Sequence, residues 1–222
     1  MNMAHIHNYQ SVPGLIEKTT LKFDIDRIRV DVDSFLNASG VGRFRAFTTE
    51  SKMWSLNLNY PPDPEQYDPG NSFCKFWGEL AGNELALSKV GITSKDFTEM
   101  TDSVYNSYLG EVYRSVKEYH TNNHPDLGTI SRIHVAFMAD GSAYQLHKDP
   151  LTGAKYHIPV WTNPYSYMMV ADQDELKSVN MEADGHMWRL DTNRMHTALN
   201  LMPKAANRES KIRAHIIIVA AF

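Results

Sequence analysis

The chain has 222 residues, a mass of 25.3 kDa, 42% hydrophobic residues and a formal net charge of -4, enough apolar material for the core of one domain. A pI near 6.2 without a long basic run argues against nucleic acid as a primary partner. One cysteine, Cys74, excludes an internal disulfide and any cysteine-built zinc or iron–sulfur site. The longest apolar stretch, Ala214 to Phe222, is too short to span a bilayer, so no membrane partner is expected. The opening residues Met1-Asn2-Met3-Ala4-His5 lack a basic segment followed by an apolar one, and a reducing cytoplasm is the expected compartment.

Along the chain, Leu21-Lys22-Phe23-Asp24-Ile25 and Trp54-Ser55-Leu56-Asn57-Leu58 alternate apolar and polar residues and read as short strands. Segment 60–72 carries Pro61, Pro62, Pro64, Pro69 and Gly70 and reads as an irregular loop, a connection or a lid. Thr93-Ser94-Lys95-Asp96 has the spacing of a helix capping box. Beyond it Val104, Tyr108, Val112, Val116 and Tyr119 recur at helical intervals, predicting a long amphipathic helix that ends near His120. From Thr129 the period changes to that of strands: around 133–137, then 144–149, 155–161, 165–170, 176–181, 187–191, 195–201 and 211–220. Eight short strands separated by turns such as Asp140-Gly141 and Asp184-Gly185 predict a mainly β fold with flanking helices, a double-sheet jelly roll.

His147-Lys148-Asp149, followed much later by His196, supplies two imidazoles and one carboxylate, the set that holds non-haem Fe(II) on one face and leaves positions open. On an extended strand residues i and i+2 share a side, so His147 and Asp149 can meet one ion while Lys148 faces away, and the third ligand comes from a distant strand. A second triplet, His124-Pro125-Asp126, lies among Asn122, Asn123 and Gly128 and reads as a surface turn. Lys155, His157, Pro159 and Trp161 share one side of their strand, and Arg213, His215 and Ile217 one side of the last. An inward Arg213 suits a dicarboxylate, because a planar guanidinium pairs with a carboxylate through two parallel hydrogen bonds; Lys155 or His157 would complete the pocket. His134 shares a face with Arg132 and Met138 and reads as packing or pocket lining, and Trp54 and Trp161 as core or substrate border. His5, His7, His120 and His215 receive no metal role.

The ordered series Gly141 through Asp149, Lys155-Tyr156-His157-Ile158-Pro159, Gly185-His186-Met187-Trp188-Arg189-Leu190-Asp191-Thr192, His196-Thr197-Ala198-Leu199-Asn200 and Arg213-Ala214-His215-Ile216-Ile217 resembles the aspartyl/asparaginyl β-hydroxylase family of Fe(II)/2-oxoglutarate dioxygenases, which includes a free-proline hydroxylase branch. The resemblance implies a double-stranded β-helix, the cupin-like jelly roll. It implies that His147 and His196 ligate iron, and that Arg213 partners the distal carboxylate of 2-oxoglutarate with His157 nearby. Lys155 stands where the family commonly has Arg. The interval from His196 to Arg213 exceeds the family's usual spacing, so Arg208 is an alternative anchor, and His186 competes with His196 as third ligand. Asp149 completes the triad. The expectation is one dioxygenase domain over 1–222, with 1–128 supporting a catalytic core at 129–222. Its activity would be an Fe(II)- and 2-oxoglutarate-dependent hydroxylase acting on an amino acid or a peptide or protein side chain. The alternative is a cupin-like metal or small-molecule binding protein without turnover.

Overall fold

A computed structural model of the chain describes residues 8–39, 53–62, 67–68, 73–74, 77–78, 87–88, 91–149, 152–201 and 212–222. In chain order the first part holds β1 (Asn8–Tyr9), β2 (Ile16–Lys22), α1 (Ile25–Ala38), β3 (Met53–Asn57), β4 (Tyr67–Asp68), β5 (Phe73–Cys74), β6 (Trp77–Gly78), α2 (Asp102–Tyr105) and α3 (Tyr108–Asn123). The second holds β7 (Thr129–Met138), β8 (Ser142–Ala143), β9 (Thr152–Trp161), β10 (Ser166–Asp172), β11 (Glu175–Val179), β12 (His186–Leu190), β13 (His196–Asn200) and β14 (Arg213–Ala221).

Strands β7 to β14 build two facing sheets. One runs β12-β9-β14-β7, extended by β2 on one side and by β3 and β6 on the other; the other runs β11-β10-β13-β8, with β1 at its edge. From β7 to β14 the chain alternates between the two sheets except at the β10–β11 hairpin, which stays in the smaller one, and β1 on β11 is the one parallel pairing among the described strands. This is a double-stranded β-helix, mainly β with flanking helices.

Period-two alternation divides the larger sheet into two chemistries. Ala214, Ile216, Ile218 and Ala220 of β14, with Ile133, Val135 and Phe137 of β7, face Ile28, Val32 and Leu36 of α1 and Leu109, Val112 and Val116 of α3 in an apolar core. The opposite face looks across to the smaller sheet. Part of that space is apolar, filled by Met138, Met168, Val170, Val179, Trp188, Leu190 and Ala198. The rest is lined by buried Lys155, His157, His134, Arg213 and His215.

Several sequence expectations need correction. Residues 21–25 do not form one strand: β2 ends at Lys22, and Asp24 caps α1 by accepting from the amides of Asp26 and Arg27. The Thr93 box forms, with the Thr93 amide donating to Asp96 Oδ2 at 2.7 Å, but it caps a single 3-10 turn. The long helix starts at Ser107, whose hydroxyl accepts from Gly110, and runs to Asn123, past His120. The strand expected at 144–149 does not form: β8 ends at Ala143, and within 144–149 there is one isolated bridge, His147 to His196. Of the 60–72 loop only 60–62 and 67–68 are among the described residues, and its reading as a lid lies outside them. Among the described residues no helix is long and apolar enough to cross a membrane.

Candidate metal centre

Backbone pairing at the edge of the smaller sheet sets the site. The His147 amide donates to His196 O at 3.0 Å and the His196 amide to His147 O at 2.8 Å. The Asp149 amide donates to Thr192 O at 3.0 Å, and Thr152 Oγ1 donates to Asp149 O at 3.0 Å. Three residues distant in sequence are thereby held in one register.

Their side chains converge. The two imidazole ring centres lie 4.4 Å apart. His147 Nε2 is 3.7 Å from Asp149 Oδ1, and His196 Nε2 is 3.3 Å from Asp149 Oδ2. One ligand atom from each lies within 4.8 Å of the others, and no second group of this kind occurs among the described residues. His147 Nδ1 sits 2.6 Å from Gln145 O and His196 Nδ1 2.9 Å from Arg194 O. A carbonyl only accepts, so each Nδ1 carries the hydrogen and each Nε2 presents a lone pair to the common point. His147 has 39% of its side chain exposed and the other two 6%, so the site opens on the His147 side.

The electrostatics suit a cation. Burial would raise the Asp149 carboxyl, but the Lys155 ammonium, 2.6 Å from Oδ2, outweighs it and holds the group well below the usual carboxylate range. Burial lowers His147, keeping it a neutral donor at pH 7. Two lone pairs on nitrogen, one carboxylate and an open side fit a divalent transition metal.

Deeper in the barrel Arg213 is 4% exposed and has no carboxylate partner among the described residues. Its Nη1 donates to Met138 Sδ at 3.0 Å and its Nη2 reaches His215 Nδ1 at 3.5 Å. Burial lowers this guanidinium to about 10, which leaves it charged at neutral pH. His215 must accept at Nδ1, so its Nε2 carries a hydrogen, and that atom has no partner among the described residues. Neither nitrogen of His157 has one, nor does His134 Nδ1. Ile217 lies between His134 and His157 in register, which places both imidazoles on the same inner face. Burial, then nearby cations, hold all three histidines well below their ordinary value and neutral. A buried cation beside orphan imidazole nitrogens is a polar cavity that a ligand would satisfy.

Other sequence candidates fall elsewhere. Trp161 does not share the side of Lys155 and His157: a register shift pairs Pro159 with His215 but Trp161 with Ala214, turning the indole to the helix-side core, where Trp54 also lies. His186 sits opposite Lys22 and binds Asp184 Oδ2 at 2.9 Å. His124 ends α3, ahead of an exposed 3-10 turn. His120 is buried against the Tyr156 hydroxyl at 2.8 Å and Gly128 O at 2.9 Å. Arg208, His5 and His7 lie outside the described residues. Asn200 ties the sheets together, its Nδ2 donating to Met138 O at 2.9 Å. Sequence reasoning missed Tyr144, whose ring lies 6.3 Å from His147 and packs on the inter-sheet cluster. Strand parity had pointed it away, but residues 145–149 are not a continuous strand.

No protein-family model and no curated protein matches the chain. Among solved structures, an oxidoreductase of the 2OG-Fe(II) oxygenase family from Burkholderia pseudomallei is similar over 93% of this chain and 82% of its own, at 12% identity and a TM-score of 0.48. Oxalate decarboxylase from Bacillus subtilis is similar over 46% of this chain and 24% of its own, at 17% identity and a TM-score of 0.33. The capsular polysaccharide assembling protein CapF from Staphylococcus aureus is similar over 41% of this chain and 24% of its own, at 12% identity and a TM-score of 0.31.

Proposed function

We infer that the protein is an Fe(II)- and 2-oxoglutarate-dependent hydroxylase of the aspartyl/asparaginyl β-hydroxylase type, acting on a free amino acid or on a side chain of a peptide or protein. One observation carries the reading: two tautomer-fixed imidazoles and a carboxylate converge beside a buried guanidinium that has no carboxylate partner among the described residues. His147, Asp149 and His196 would hold the metal. Fe(II) bound there supplies oxygen activation, with 2-oxoglutarate leaving as succinate and carbon dioxide and one oxygen atom entering a C–H bond of the substrate.

The chain's own residues bind and orient. Gln145 and Arg194 carbonyls fix the imidazoles. Arg213 offers its guanidinium edge to the distal carboxylate of the oxoacid, and His157, neutral and unpartnered, lies on the same inner face to donate a further hydrogen bond. Met168, Ala198 and Trp188 form the apolar wall that excludes water from the rest of the space. The test is an anaerobic titration with Fe(II) and then 2-oxoglutarate, followed by admission of oxygen in the presence of amino acids and peptides. Succinate together with a product heavier by one oxygen atom is the expected result. Bound iron without succinate would mean a metal-binding protein of the same fold.

A further inference from the structure

We propose that Lys155 belongs to the metal centre, holding Asp149 by one carboxylate oxygen and leaving the other for the ion, and that it takes no part in binding the oxoacid. The inference rests on the metal-site reading above.

The contact itself is specific. Lys155 Nζ lies 2.6 Å from Asp149 Oδ2, and among the described residues it makes no other hydrogen bond or ion pair. The side chains are 11% and 6% exposed, so the pair is nearly dry and its geometry is not exchanged for water. Register separates Lys155 from the cavity around Arg213. Lys155 stands opposite Val219 near one end of β14, whereas Arg213 opens the other end of that strand and touches Met138 and His215. His157 and His215 lie between them on the inner face.

The carboxylate completes the case. Its backbone amide is fixed on Thr192 O, and Oδ2 takes the ammonium. Oδ1 carries no hydrogen bond and faces His147 Nε2 at 3.7 Å, while His196 Nε2 lies 3.3 Å from Oδ2. An ammonium is a point charge that one oxygen satisfies. A guanidinium at this position would offer a fork matched to both oxygens and compete with the ion for Oδ1. Lysine in place of arginine therefore fits service to the metal ligand.

The experiment uses the whole chain stripped of metal, titrated anaerobically with Co(II), and then with 2-oxoglutarate at saturating Co(II), both followed by absorption and calorimetry. Lys155→Met is expected to weaken Co(II) binding by about ten- to a hundred-fold, the usual effect of losing a partner of a metal ligand, with 2-oxoglutarate affinity changed by less than about three-fold. Arg213→Met should give the mirror image. Lys155→Arg, which keeps the charge, should also weaken Co(II). If Lys155→Met does not fold, Lys155→Gln, with one neutral N–H for Oδ2, carries the same test with a smaller loss. Unchanged Co(II) affinity with lost 2-oxoglutarate binding in Lys155→Met or Lys155→Gln would overturn the assignment and make Lys155 an oxoacid anchor. Wild-type protein that binds no Co(II) would instead overturn the metal-site reading and this inference with it.

Discussion

A histidine becomes a directed ligand when one of its nitrogens is already engaged, and here main-chain carbonyls do the engaging. Gln145 O and Arg194 O hold the two Nδ1 atoms, so replacing the side chains at 145 or 194 leaves the tautomers intact, while replacing the imidazoles removes the donors. His147→Ala and Asp149→Ala should each lose stoichiometric Fe(II) in metal analysis and retain the far-ultraviolet dichroism of the wild type. Undiminished iron in both would mean the ion binds elsewhere. For the second pole of the site, Arg213→Ala should weaken 2-oxoglutarate by about 1.5 to 3 kcal/mol, the scale of a hydrogen bond to a charged group, or roughly ten- to a hundred-fold. Titration of the anaerobic iron complex measures this, and unchanged affinity would sink the anchor assignment. The triad was legible from its residue types and from the family resemblance, although the strand assumed for the i, i+2 pair does not form and His147 is paired by an isolated bridge. The accepting carbonyls of Gln145 and Arg194 were not legible, since every residue type supplies a carbonyl. Nor was the Lys155–Asp149 contact, which depends on the meeting of two sheets.

Among the elements, the strands from 129 onward were the most legible, because β7, β9 and β14 are apolar-rich and buried almost throughout and β10 alternates; 144–149 was the exception. Helix α1 was overlooked although Ile28, Val32, Phe35 and Leu36 carry helical spacing behind the Asp24 cap; the alternating run just before it was extended too far. Trp161 was assigned to the wrong face because a register shift leaves no mark in a period-two pattern. Strand β9 matters most, since it carries both Lys155 and His157. Near its start Gly153 meets the turn after α3, and a Cβ there would stand 1.9 Å from Leu127 O. The obstruction is backbone against backbone, so no rotamer relieves it. Gly153→Ala should destabilise the protein by about 1 to 3 kcal/mol, the usual scale of overpacking, and lower the melting temperature. An unchanged melting temperature would show that the turn yields freely.

At the scale of the whole molecule, one core is hydrocarbon and the other is part hydrocarbon, part imidazole. The space between the sheets buries His134, His157 and His215 in neutral form. Above about pH 6.5 folded and unfolded chains both hold these rings neutral, and the three contribute nothing to the pH dependence. As pH falls below that value the unfolded chain binds protons that the folded chain refuses, so stability declines until the depressed folded values are reached. Each ring contributes about 1.4 kcal/mol per pH unit, and three together about 4. Against a typical total of about 5 to 15 kcal/mol, one to a few pH units remove the fold. Denaturant melts of the metal-free protein at pH 7.5, 6.5, 6.0 and 5.5 should therefore show a plateau followed by a steep loss. His134→Leu should reduce the slope by about a third, because it removes one of three refusing groups while keeping the site apolar. Stability that stays level from pH 7.5 to 5.5 would mean that the folded chain takes up these protons, and the inner wall would then be positively charged rather than neutral at the pH where an anionic ligand binds.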